Sequence, residues 1–188
     1  MSDHRSDDVR ELMPGLTGVG ERSLDSFLTP VVRVTEEIAA PPEEVFEALT
    51  DPEALGEWFL APGGTTSDWE LDLAPGGEWS ARTVTPDGAE GVLHGAVVTI
   101  DAPNTLELTW HTSDDDFAPS RVRYDLEPIW VNGECATRLT VTHVDGTSVD
   151  GVSTYPQALM VDVTTTTHEW TVQLRRLGQH VRTMITVA

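Results

Sequence analysis

Apolar and polar side chains alternate along three segments in the second half of the chain. A period of two places every second side chain on the same face of a β-strand. Where only one of the two faces is apolar, the sheet is covered on one side only. The pattern therefore predicts antiparallel strands whose buried face carries Leu106, Leu108 and Trp110, then Val122, Tyr124 and Leu126, then Leu139, Val141 and His143.

The first half predicts one strand followed by two short helices. A strand-like run begins at Val31 and stops before Pro41. Pro42 suits the first position of a helix, and the acidic residues after it favour the positive end of the helix dipole. Asp51-Pro52-Glu53 repeats this chemistry and predicts a second helix that reaches Phe59. Turn signals then separate three more strands, over residues 69–73, 79–85 and 92–100.

The last segment changes period. Trp170, Leu174, Leu177, Val181 and Ile185 recur every three or four residues, which predicts an amphipathic helix of about five turns. A one-sided sheet and a one-sided helix bury their apolar faces against each other. The predicted fold class is therefore α+β, a curved antiparallel sheet of about six or seven strands around a long C-terminal helix.

The composition of the chain limits the classes of partner that it can bind. The 188 residues carry a formal net charge of -21, from 32 acidic residues against 11 arginines. So negative a field repels nucleic acid and anionic membranes, and we expect neither as a partner. The single cysteine, Cys135, excludes an intramolecular disulfide and a thiolate metal cluster. No motif predicts a metal or a cofactor.

Residues 1–26 are polar with weak periodicity, which predicts a flexible N-terminal extension. Residues 27–188 are long enough to form one domain with its own core. Neither a signal peptide nor a membrane-spanning run is evident, so we expect a cytoplasmic protein, monomeric or weakly dimeric.

Several short signatures together resemble the START-like or Bet v 1-like (SRPBCC) superfamily, and most closely its branch of homologues of the activator of heat-shock-protein-90 ATPase. They are residues 40–52 (APPEEVFEALTDP), Trp58-Phe59, residues 75–79 (PGGEW), 106–110 (LELTW), 137–143 (TRLTVTH) and 170–177 (WTVQLRRL). The resemblance implies the helix-grip fold and a cavity between sheet and C-terminal helix. Relatives in enediyne antibiotic pathways, the calicheamicin self-resistance protein among them, imply natural-product handling.

One position departs from the family pattern. Members commonly carry a Gly-Trp pair where the last helix opens, and Glu169 takes the place of that glycine. The resemblance thus implies a cavity mouth that Glu169 narrows, or a guest that offers a hydrogen-bond donor. The preceding connection, residues 145–167, is a candidate lid that contains Tyr155 and Met160.

Aromatic side chains dominate the candidate binding site. Each buried indole has one N–H donor that needs a hydrogen-bond partner. Indoles around a cavity therefore favour a flat ligand held by stacking and a few hydrogen bonds. The candidate ligand-binding residues are Trp58, Phe59, Trp79, Trp110, Tyr124, His143, Tyr155, Met160, Trp170, Leu174 and Leu177. The alternative for the tryptophans is ordinary packing.

Three functions stay open. The first is binding of an apolar or aromatic small molecule, such as a polyketide or enediyne intermediate, for biosynthesis, transport or self-resistance. The second is a cyclase or dehydratase that uses the same cavity, with His143, Tyr124 and His94 as candidates for proton transfer. The third is a protein-interaction module that regulates a chaperone, as in the namesake of the family.

Overall fold

A computed structural model describes residues 31–60, 64–112, 119–144 and 163–187. The tip of the predicted lid, including Tyr155 and Met160, and the predicted N-terminal extension lie outside the described residues. In chain order the elements are β1 (Val31–Ile38), α1 (Pro42–Thr50), α2 (Pro52–Trp58), β2 (Thr65–Leu71), β3 (Glu78–Val84), β4 (Glu90–Asp101), β5 (Thr105–Thr112), β6 (Ser120–Val131), β7 (Glu134–Val144) and α3 (Val163–Val187).

The seven strands form one antiparallel sheet in the order β1-β7-β6-β5-β4-β3-β2. Six of them follow one another as a meander, and β1 joins the outer side of β7. The sheet curls around α3. Helix α1 packs against α3, β6 and β7, and α2 packs against α3 and β2. The predicted α+β class with two short helices and a long C-terminal helix is confirmed.

Two strands change phase along their length so that more side chains reach the inner face. In β2, Asp68 has a positive φ of 52° and the register with β3 shifts between Ser67 and Glu70. Because of this bulge, the inward positions change from Thr66 to Trp69. A second shift, between Val97 and Thr99 of β4, likewise turns Ile100 toward the core.

Helix α3 differs from its predicted extent. It spans 25 residues, about seven turns in place of five, and begins at Val163, seven residues before Trp170. Threonine lowers helix propensity by only a few tenths of a kcal/mol per residue. The Thr171 hydroxyl donates to the Thr167 carbonyl at 2.8 Å, so the helix backbone satisfies this side chain.

The surroundings of two glycines show how closely neighbouring elements pack. A Cβ on Gly178 of α3 would lie 3.5 Å from Ile38 Cγ1, an ordinary contact. A Cβ on Gly95 of β4 would lie 1.8 Å from the Thr109 carbonyl oxygen and 2.7 Å from Trp79 Nε1. The Thr109 carbonyl and the Trp79 indole therefore occupy the space where a side chain at position 95 would lie.

We expect opposite effects from the same substitution at these sites. Gly178→Ala should raise the free energy of unfolding by about 0.5 to 1 kcal/mol, because alanine favours the helix and meets no clash. Gly95→Ala should lower it by about 3 kcal/mol, because it displaces Trp79 and the β5 backbone. Urea unfolding of both variants measures this, and equal stabilities would contradict the packing described.

Candidate functional site

Aromatic rings form a continuous cluster on the inner face of the sheet. Neighbouring ring centroids lie 4.9 to 6.1 Å apart, mostly edge to face or tilted. Such arrangements suit the charge distribution of aromatic rings. We call this group the aromatic cluster, and its members are Trp58, Phe59, Trp69, Trp79, Trp110, Tyr124, His143 and Trp170.

Part of the aromatic cluster is bound to backbone and serves packing. Trp58 is 1% exposed, and its Nε1 donates to the Ala48 carbonyl at 2.8 Å, which ties α2 to α1. Trp79 Nε1 donates to the Thr109 carbonyl at 3.0 Å. The single N–H donor of each indole is therefore satisfied by a backbone carbonyl of the protein.

A cavity of about 190 Å³ opens where the other end of the aromatic cluster meets α3. Its walls are mainly apolar, and the N-terminal half of α3 forms one side of it. The described residues that line it are Phe59, Leu60, Leu93, Trp110, His143, Thr166, Glu169, Trp170 and Gln173.

The predicted ligand-binding residues divide into two groups around this cavity. Four of them line it: Phe59, Trp110, His143 and Trp170. The other described ones, Trp58, Trp79, Tyr124, Leu174 and Leu177, are buried in the core and do not border it.

His143 is held in one protonation form by its neighbour. Trp170 Nε1 lies 3.1 Å from His143 Nδ1, and an indole N–H can only donate. Nδ1 is therefore the acceptor, and the neutral ring carries its proton on Nε2. Since the basic nitrogen is already occupied by Trp170, His143 is poorly arranged to accept a proton from a guest.

Tyr124 is equally unsuited to accept a proton. The side chain is 3% exposed, and burial raises the pKa of its hydroxyl well above the ordinary value. The phenol is therefore neutral at physiological pH. It packs edge to face on Trp170, with ring centroids 5.9 Å apart.

His94 lies on the opposite face of the sheet from these two residues. Leu93 and Val97 of β4 are buried, so the side chain between them on the alternate phase points outward. His94 stacks on His111 of β5, with ring centroids 5.0 Å apart and planes within 5°. The two border an outer groove of about 410 Å³ that Glu70 and Glu78 also line. The expectation that His94 shares a cavity with His143 and Tyr124 is therefore corrected.

Two polar side chains of α3 hold the chain just after α2. Gln173 accepts from the Leu60 N–H at 3.1 Å and donates to the Leu60 carbonyl. Arg176 donates to the carbonyls of Trp58 at 2.8 Å and Glu57 at 3.0 Å. We call these four hydrogen bonds the α3 clamp. They satisfy carbonyls at the end of α2 and fix Phe59 and Leu60 as one wall of the cavity.

The sequence pattern missed Gln173, Leu60, Leu93 and Thr166 as lining residues. Gln173 did carry a signal, because it follows Trp170 by three residues and so interrupts the apolar face of α3. Leu60 lies beyond the helix and Leu93 looks like any strand leucine. Their place at the cavity depends on tertiary packing alone.

The curled sheet gripping a C-terminal helix, with two short helices after the first strand, is the helix-grip fold of the START-like superfamily. The family model described as activator of Hsp90 ATPase homolog 1-like protein matches residues 39–182. The chain belongs to this family. A comparison with curated proteins finds no significant match.

Solved structures agree with this fold. The AHSA1 protein from Silicibacter pomeroyi is 26% identical, with a TM-score of 0.61 over 82% of this chain and 99% of that one. A protein from Nitrosomonas europaea is 21% identical, with a TM-score of 0.65 over 83% and 96% of the two chains. CalU16 from Micromonospora echinospora is 18% identical, with a TM-score of 0.53 over 83% and 78%.

Within the described part of the chain, no helix is long and apolar enough to span a membrane. Among the same residues, no three or more histidine, cysteine or acidic side chains gather as a metal site would require. The fold is one that supports ligand binding or a cochaperone-like role.

The α3 clamp yields a stability test. Gln173→Met keeps the length of the side chain but leaves the Leu60 N–H and carbonyl without their partner. We expect a loss of about 2 to 3 kcal/mol in the free energy of unfolding. The control Gln179→Met, at an exposed position on the same helix, should change it by less than about 0.5 kcal/mol. Denaturant unfolding measures both, and equal losses would contradict the clamp.

Proposed function

We propose that the protein binds a small, largely apolar aromatic molecule in the cavity between the sheet and α3. The observation that carries this function is the cavity itself, about 190 Å³ of space bounded by the rings of Phe59, Trp110 and Trp170. Protein interiors are otherwise packed like organic crystals. A concave, mainly apolar site bounded by aromatic rings is therefore an exception to this packing and suits a small-molecule guest.

One polar group favours a guest with a hydrogen-bond acceptor. Trp110 Nε1 is buried and has no hydrogen-bond partner within the described part of the chain. A buried donor without a partner costs about 1 to 3 kcal/mol. An ether, carbonyl or hydroxyl oxygen on a guest that reaches this nitrogen would recover the loss, so we propose an aromatic guest that carries at least one such oxygen.

The volume favours a guest smaller than a typical drug. Pockets for drug-sized ligands measure about 300 to 1,000 Å³. At the packing density of organic solids, the space here suits on the order of ten non-hydrogen atoms. A complete polyketide or enediyne intermediate is larger, so we propose a single substituted ring as the guest in place of those classes.

Binding without chemistry is the function we favour over a cyclase or dehydratase. A general base needs a free basic atom within reach of the substrate. Trp170 occupies Nδ1 of His143, Tyr124 is buried as a neutral phenol, and His94 lies on the outer face. None of the three is arranged for proton abstraction inside the cavity.

A cochaperone-like role is the second candidate, favoured by one exposed aromatic side chain. Trp130 of β6 is 75% exposed and precedes the β6–β7 hairpin turn, beside the half-exposed Val131. Exposed tryptophans are common hot spots of protein interfaces. This surface lies on a hairpin that the cavity does not touch, so the two roles respond to different substitutions.

Calorimetric titration with tyrosol, a neutral phenol of ten non-hydrogen atoms, tests the ligand-binding function. We expect saturable binding with a dissociation constant of about 0.1 to 1 mM. Thr166→Trp should abolish it, because Thr166 lines the cavity at a half-exposed position where a larger side chain fills the space. Val172→Trp, on an exposed face of the same helix, and Trp130→Ala should leave affinity unchanged. Binding that survives Thr166→Trp would rule out this cavity.

A further inference from the structure

One acidic side chain stands among the aromatic walls of the cavity. Of the described residues that line it, Glu169 alone carries a charge. The nearby histidine is neutral in the form that Trp170 imposes. No ion pair joins Glu169 to another residue in the described part of the chain. Among the described residues, no cation therefore balances its carboxylate.

We infer that the guest carries a protonated amine, and that Glu169 together with the rings of Phe59, Trp110 and Trp170 selects it over neutral and anionic molecules of the same shape. Since Glu169 acts on the guest of the cavity already described, this role rests on the proposed function.

The aromatic walls fit a cation because of how they are arranged. The centroid of Trp110 lies 5.3 Å from that of Phe59 and 6.1 Å from that of Trp170, with the planes inclined at 45° and 72°. Rings at such inclinations present faces from different directions to one space. A cation within about 6 Å of a ring centroid is attracted to the electron-rich face, and ammonium groups are recognised in this way.

The Glu169 carboxylate supplies the negative charge that the aromatic rings lack. Moving an ammonium group out of water is costly unless an opposite charge pairs with it. Glu169 is half-buried at the first turns of α3, next to Trp170 in sequence. A guest amine paired with Glu169 therefore keeps a charge partner while its ring lies against the indoles.

The net charge of the whole protein also favours a cationic guest. A net charge of -21 raises the local concentration of cations and lowers that of anions near the surface. This general field does not distinguish Glu169 from other acidic residues. A matched variant is therefore needed to separate the field of the whole protein from the local contact.

Three molecules of nearly equal shape make the test. Tyramine, tyrosol and 4-hydroxyphenylacetate share the phenol and end in an ammonium, a hydroxyl and a carboxylate. Titration calorimetry at pH 7 in 150 mM salt should show tyramine binding about tenfold more tightly than tyrosol, and 4-hydroxyphenylacetate binding more weakly than either.

Glu169→Gln should remove the tyramine preference, so that tyramine and tyrosol then bind with affinities within about twofold of each other. Glu47→Gln, on the exposed face of α1, makes the same change in net charge and should keep the preference. Glu169→Asp retains the carboxylate and should keep part of the tyramine preference. A preference that Glu169→Gln loses and Glu169→Asp retains is caused by the negative charge of the side chain. Circular dichroism checks that each variant is folded.

The outcomes separate this inference from the proposed function. If tyrosol binds and Thr166→Trp blocks it, but tyramine binds no better or Glu169→Gln retains the preference, only the role of Glu169 is overturned. If none of the three molecules binds the wild-type protein, the cavity has no such guest and the proposed function fails as well.

Discussion

The α3 clamp is the interaction on which the cavity depends. The chain leaves α2 at Trp58 and must then present Phe59 and Leu60 to the inner face of the sheet. Gln173 pairs with both backbone groups of Leu60, and Arg176 binds the last carbonyls of α2. Without these bonds, the apolar groups on both sides would be expected to collapse into the space. Polar pairing between α3 and the end of α2 thus holds one wall of the apolar cavity in place.

The role of each tryptophan in the aromatic cluster follows from the hydrogen-bond partner of its indole N–H. Trp58 and Trp79 have donors bound to backbone carbonyls, and they build the solid part of the core. Trp170 uses its donor to fix the ring of His143. The ring of Trp110 lines the cavity, and its Nε1 has no hydrogen-bond partner within the described part of the chain. The same residue type therefore serves packing, positioning and recognition at different points of one continuous cluster.

The class of fold could be predicted because local patterns were consistent. Alternation through Leu139 and Val141 and the helical spacing of Trp170, Leu174 and Leu177 each indicate one buried face. Site geometry could not be predicted in the same way. Alternation alone does not tell which face of β4 carries His94, because the bulge at Val97 and Thr99 changes the phase along that strand. Leu60 reaches the cavity only through hydrogen bonds from a helix more than one hundred residues away.

The central claim is that the space between the aromatic cluster and α3 accepts a guest in the folded protein. A crystal structure of the protein soaked with 4-bromophenol tests it most directly, since anomalous scattering locates the bromine atom itself. We expect the strongest bromine peak among Phe59, Trp110 and Trp170, with the phenol oxygen at hydrogen-bond distance from Trp110 Nε1. Bromine found only in the outer groove beside His94 and His111, with the inner space closed, would contradict it.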